Sequence, residues 1–226
     1  EADAPPRSDR PDVDDLGGTT PDADARRLGS DGRARAGYPY VYNQMPQHPP
    51  LYHEAMATVL RVERWLLPGD GLPSLDREIG LLRLANVLLL VPLPLLAWAV
   101  VRRLGGDDRA GTVAAVLPLC VPQLAHVGAA VNNDNLFALV GAGLAVLLAG
   151  VARGRRTRAT DVGVGVLLGL ALLTKAFAAM FVPWVVVAYL VGWHTTRGRR
   201  PVVPMAVAGA VALAVGSWWW LANWVR

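Results

Sequence analysis

Polar and apolar positions are segregated along this chain. Its first eighty residues are rich in Asp, Arg, Pro and Gly, and the remainder alternates long apolar runs with short arginine clusters. The runs cover residues 81–101, 110–128, 135–151, 162–174, 176–193 and 202–221. A bilayer core about 30 Å thick takes roughly 20 helical residues. The pattern therefore predicts an all-α, polytopic transmembrane helix bundle of about six membrane helices. Between the runs lie Arg102, Arg103 and Arg109, then Arg153, Arg155, Arg156 and Arg158, then Arg197, Arg199 and Arg200. The bias of such clusters toward the cytoplasm puts all three on that side. Residues 1–80 and the polar turn at 132–135 then lie on the opposite, extracytoplasmic side.

The same rule decides how to divide residues 162–193. As one tilted helix they would put the second and third arginine clusters on opposite sides of the membrane. Two helices forming a hairpin satisfy the charge bias, with Lys175 at the outer turn. The first of them, at 13 residues and about 1.5 Å per residue, reaches only about 20 Å. Lys175 then lies below the membrane surface.

The polar part divides again. Residues 1–36 carry almost no large apolar side chains and bury too little surface to offset chain entropy, so they are expected to be disordered. Residues 37–80 are expected to form an extracytoplasmic loop with a juxtamembrane amphipathic helix. Within 51–67, Leu51, Ala55, Val59, Val62 and Leu66 recur at helical spacing, with Glu54, Arg61, Glu63 and Arg64 between them. Residues 81–226 are the bundle. The chain starts at Glu1 without a leader and stops at Arg226 just after an apolar run, so both ends read as cut from a longer protein.

Composition sharpens this picture in two places. A net charge of +4 could suggest nucleic acid, but the arginines sit in short loops between membrane segments, which excludes that partner. The single cysteine, Cys120, permits no disulfide within the chain and reads as a small hydrophobe. Among 22 cationic residues, Lys175 is the only lysine, and it stands inside an apolar stretch. An ionisable group at that depth is costly and marks a functional position. The structural alternative is a snorkelling lysine at a helix end.

Other polar clusters could carry chemistry. In Gln47-His48-Pro49-Pro50-Leu51-Tyr52-His53-Glu54, the prolines stiffen the entry to the amphipathic helix and present Tyr52, His53 and Glu54 near the membrane surface. His48, His53 and Glu54 could hold a divalent metal ion or handle phosphate. A proline-led helix start explains the same residues. Asn132, Asn133, Asp134 and Asn135 exceed what a helix cap requires and could bind sugar hydroxyls or a cation. Arg83 could face an anionic ligand. Gln123 and His126 share a helix face and are expected to bond between helices. Trp218, Trp219 and Trp220 form an interfacial belt.

In this order, residues 47–52, the Asn132–Asn135 turn, the run Gly169-Leu170-Ala171-Leu172-Leu173-Thr174-Lys175, and Trp218-Trp219-Trp220-Leu221-Ala222-Asn223 resemble the GT-C superfamily of polytopic glycosyltransferases. The resemblance covers residues 40–226. It is nearest to the bacterial protein mannosyltransferase and lipid A aminoarabinose transferase branch and to related bacterial membrane proteins. It implies transfer of a sugar from a polyprenyl-phosphate donor to a cell-envelope acceptor at the outer face of the membrane. Lys175 matches a lysine that meets the donor phosphate, and Asp134 matches an acidic position in a short outer loop. His48 falls beside a metal- or phosphate-binding acid, where this chain has Gln47. The general base of such enzymes follows a first membrane helix, so the resemblance implies a base upstream of Glu1 or at Glu1 itself, and an inactive isolated fragment. A transporter or flippase for a lipid-linked or anionic substrate, and a scaffold with a partner-binding tail, are the competing readings.

Overall fold

The computed structural model describes residues 49–67, 74–197 and 200–225, and among them every regular element is helical. The expected disorder of residues 1–36 lies outside these residues. Helix α1 spans Leu51–Leu66, α2 Leu75–Leu90, α3 Leu93–Leu104, α4 Asp108–Val116, α5 Pro122–Gly128, α6 Asn133–Ala152, α7 Arg158–Thr174, α8 Phe181–Thr196 and α9 Val202–Val225. Short 3₁₀ turns at Leu117–Cys120 and Ala176–Met180 precede α5 and α8.

Prolines account for the breaks. Pro92 has no N–H to donate, and α2 gives way to α3 there, although the two together make one apolar element of 30 residues. Pro118 and Pro122 divide the second apolar run, and its two halves meet at 61°. By length and hydropathy, Leu75–Leu104, Asn133–Ala152, Ala176–Thr196 and Val202–Trp224 can each cross a membrane. The bent pair makes a fifth candidate. The protein is thus an integral membrane protein.

Helix α7 is longer than its apolar run implied. It begins at Arg158, because Thr157 and Thr160 cap its start reciprocally: the Thr157 hydroxyl accepts from the Thr160 N–H at 3.2 Å, and the Thr160 hydroxyl from the Thr157 N–H at 3.4 Å. Its 17 residues extend about 26 Å at 1.5 Å per residue. The helix ends at Lys175, whose backbone is extended (φ −158°, ψ 139°), so the expected break between α7 and α8 is present.

The core lies between α6, α7, α8 and α9 and includes Leu144, Val151, Val164, Ala171, Phe181, Tyr189, Ala208 and Ala212. Helices α7 and α9 approach closely through small residues. A β-carbon on Gly165 would stand 2.5 Å from the Ala208 carbonyl oxygen, and one on Gly169 would stand 2.9 Å from that of Ala212. Between helices in lipid, where burial supplies little net drive, such close backbone approach is a main source of association.

Helix α1 forms where expected. Tyr52, Met56 and Glu63 are the residues it buries against the protein, while Val62 and Leu66 of the apolar stripe are left exposed. Polar contacts hold that buried face: Tyr52 and Met56 both bond Asn86 on α2, and Glu63 pairs with Arg77 of α2 at 2.6 Å.

Gly169→Val should overpack the α7–α9 contact and cost about 1–3 kcal/mol, lowering the thermal unfolding midpoint of the detergent-solubilised protein. Gly209, with open space around its Cα, should tolerate alanine.

Candidate functional site

At the end of the bundle where α6 starts and α7 stops, the chain gathers three buried polar side chains, Asn86, Asn135 and Thr174, beside the Asn132–Asp134–Lys175 contacts. Asn132 caps α6, its Oδ1 accepting from the Asp134 N–H at 3.0 Å while its Nδ2 donates to Asp134 Oδ2 at 3.2 Å. Asp134 Oδ1 in turn accepts from Lys175 Nζ, so both carboxylate oxygens are engaged. Lys175 is held by its own backbone as well. Its N–H donates to the Ala171 carbonyl at 2.9 Å, and its carbonyl accepts from Ala178 N–H at 3.0 Å. The ammonium also lies 5.9 Å from the Phe177 ring centroid.

The pair is neither sealed nor fully solvated. The Lys175 side chain is 25% exposed and that of Asp134 43%, which leaves the ammonium reachable by an anion from outside. An ordinary surface ion pair contributes little to stability. This one holds the ammonium in place against Asp134.

Behind it, Asn86 of α2 is completely buried. Its Oδ1 accepts from the Tyr52 hydroxyl at 3.0 Å, from Asn135 Nδ2 at 2.8 Å and from the Asn132 N–H at 3.4 Å. Its Nδ2 donates to the Leu82 carbonyl at 2.8 Å and to Met56 Sδ at 3.4 Å. One amide thus ties α1, α2 and the entry to α6 together. Asn135 Nδ2 adds bonds to the carbonyls of Ala130 and Val127, which anchors the turn after α5. Burial pushes the Tyr52 phenol above its usual pKa near 10, and the hydrogen bonds with Asn86 and the Asn132 backbone pull it part of the way back.

Of the residues singled out in the sequence, Lys175, Asp134 and Asn132 therefore touch, and Tyr52 joins them through Asn86. Asn133 occupies the first turn of α6, half-buried. Arg83 is exposed on α2, one turn from Asn86. His53 and Glu54 are exposed on α1, and the Glu54 carboxylate lies 3.5 Å from Arg61. His48 lies outside the described residues. Among the described residues no three His, Cys, Asp or Glu side chains assemble as a metal site. Gln123 and His126 are exposed and make no side-chain hydrogen bond among the described residues. The proline-bent α4–α5 segment turns them outward, contrary to the expected bonding between helices.

Sequence reasoning missed Asn86. The available signal was an amide inside an apolar run, which in lipid seeks a partner on another helix. It also missed the buried Asp161, whose Oδ1 accepts from the Tyr189 hydroxyl at 2.7 Å at the opposite, arginine-rich end of the bundle.

Asn86→Leu should leave the Tyr52 hydroxyl and the Asn135 amide without their shared acceptor, costing about 1–3 kcal/mol in a detergent unfolding titration. With Tyr52→Phe added, the two losses should fall short of their sum. Because the folded-state pKa of Tyr52 is raised, its contribution is complete below about pH 10 and is lost as pH climbs through the raised value. Tyr52→Phe should flatten that alkaline fall.

The polar residues of this end thus converge from helices that alternate in direction through an apolar bundle, and only one of them is a lysine. Comparison with characterised sequences and with solved structures gives no match. The family model described as dolichyl-phosphate-mannose-protein mannosyltransferase matches residues 76–220, from the start of α2 almost to the end of α9. The match spans most of the chain and contains Asn86, Asn132, Asp134 and Lys175, and the protein belongs to this family of membrane glycosyltransferases.

Proposed function

We propose that the protein takes part in transfer of a sugar from a polyprenyl-phosphate carrier to a cell-envelope acceptor, and that Lys175 meets the donor phosphate. The observation that carries this reading is the lone lysine, held at the end of α7 with its ammonium on Asp134 and still open to an incoming anion. In the reaction the acceptor oxygen bonds to the anomeric carbon, the bond from that carbon to the phosphate oxygen breaks, and the phosphate leaves with the electron pair. A cation beside that oxygen stabilises charge that develops in the transition state. Asp134 neutralises the lysine before the donor binds and keeps it aimed afterwards. The Asn132 amide touches the pair and Asn133 follows it in the first turn of α6, and both suit sugar hydroxyls. Arg83 and His48 are further candidates for the phosphate, and Tyr52 and Glu54 for the acceptor side. A divalent cation at His48, His53 and Glu54 belongs to the same proposal. The base that accepts the acceptor proton is not assigned among these residues.

We read sidedness from charge. Helices α3, α6 and α8 each end in arginine-bearing turns. The charge bias supports cytoplasmic arginine turns and, with α7 and the bent pair taken as crossings, a site on the outer face.

Lys175→Ala in the full-length protein should abolish sugar transfer from a polyprenyl-phosphate sugar while membrane insertion is retained. Lys175→Arg should keep part of the activity, because charge survives while the compact ammonium does not. Unchanged turnover by Lys175→Ala, or movement of the intact lipid-linked sugar without its cleavage, would overturn the proposal.

A further inference from the structure

The turn between α6 and α7 packs against the last turns of α8, and a cavity of about 210 Å³ lies there, lined by Arg156, Tyr189, Trp193 and Thr196 among others. Two glycines set its walls. A β-carbon on Gly192 of α8 would collide with the Val151 carbonyl, and one on Gly154 (φ 71°) would collide with the Thr196 methyl. The carbonyls at these two helix ends are already engaged. That of Gly150 accepts from the Arg155 N–H at 2.9 Å, that of Val151 from the Gly154 N–H at 2.8 Å, and that of Gly192 from the Thr196 hydroxyl at 2.8 Å. Arg156 is the one charged residue lining the cavity. It is half-buried, its Cζ lies 5.9 Å from the Tyr189 ring centroid, and its guanidinium makes no hydrogen bond or ion pair among the described residues. Tyr189 offers it only a ring, because the phenol hydroxyl donates to buried Asp161 at 2.7 Å. Five N–H donors thus border a polar cavity with no acceptor assigned to them.

We propose that this cavity binds the headgroup phosphate of an anionic phospholipid through Arg156. Depth and charge select the occupant together. Tyr189, Gly192, Trp193 and Thr196 belong to the last turns of a helix long and apolar enough to cross the membrane, so the cavity stands at headgroup height, where the partly exposed Trp193 is also at home. The guanidinium fork matches phosphate oxygens, and basic pockets between membrane helices favour anionic headgroups. A choline headgroup brings a cation of its own, and no carboxylate lines the cavity to receive it. The site is remote from Lys175, at the other end of the bundle, and does not depend on the donor assignment.

The test uses the full chain, purified in detergent and offered phosphatidylglycerol and phosphatidylcholine of identical acyl chains, with retained lipid read by native mass spectrometry. The native protein should retain phosphatidylglycerol preferentially. Arg156→Gln should bind it about five-fold more weakly. Arg158→Gln removes the same charge from an exposed position that does not line the cavity, and should behave as the native chain. Arg156→Lys should fall between the two, because charge survives while the planar fork does not. Thermal unfolding without added lipid checks that the variants fold. If Arg156→Gln does not, Arg156→Lys is compared with Arg158→Lys, and only the first should lose affinity. Equal retention of the two lipids by the native protein, or equal losses at positions 156 and 158, would overturn the proposal. So would release of the lipid by excess inorganic phosphate at matched ionic strength, which would assign the cavity to a soluble anion.

Discussion

The arrangement depends on one buried amide. Asn86 sits where water cannot reach, and an unpartnered amide in that setting is expensive. It can satisfy itself only by drawing partners from elsewhere, and the partners it draws are the hydroxyl of Tyr52, the amide of Asn135 and the backbone of Asn132. Those bonds fix where α1 docks and how the chain enters α6. Asn132 then positions Asp134, and Asp134 receives Lys175 from α7. A polar chain of contacts thus runs from Asn86 to the Lys175 ammonium proposed to meet the donor phosphate.

Hydrocarbon packing sets the complementary requirement. Apolar side chains gain little by leaving lipid for another helix, so α7 and α9 hold together through shape, with Gly165 and Gly169 set against Ala208 and Ala212. This contact runs along α7 from Gly165 to Leu172, just short of the polar end. The arginines crowd the other end, and the Tyr189–Asp161 bond gives α7 and α8 a second polar tie there. Each end of the bundle has its own polar lock, and the middle is close-packed and apolar.

Much of this was legible in the sequence because membrane helices declare themselves by length and hydropathy. The break at Lys175 followed from arginine placement alone, and the juxtaposition of Lys175 with the 132–135 turn followed from that break. What could not be read was pairing. Nothing in the pattern of α1 says that Tyr52 and Met56 dock on α2, since that contact is made by Asn86, thirty or more positions away. Helical periodicity assigns a face by apolarity, whereas in lipid an amide can outweigh several methyl groups. The early start of α7 was hidden for a local reason: the threonines that cap it lie among arginines that read as loop.

Lys175 stands one residue beyond a helix tied down at both ends, by the cap at Thr157 below and by Asp134 above. Helix α7 therefore works as a ruler. A single inserted residue would lift the lysine by about 1.5 Å and swing it through about 100° around the helix axis, off its aspartate altogether. The turns that carry the arginines can vary in length without consequence for the polar end, while the seventeen residues from Arg158 to Thr174 cannot. Chemical identity at position 175 matters only because residue count beneath it is held constant.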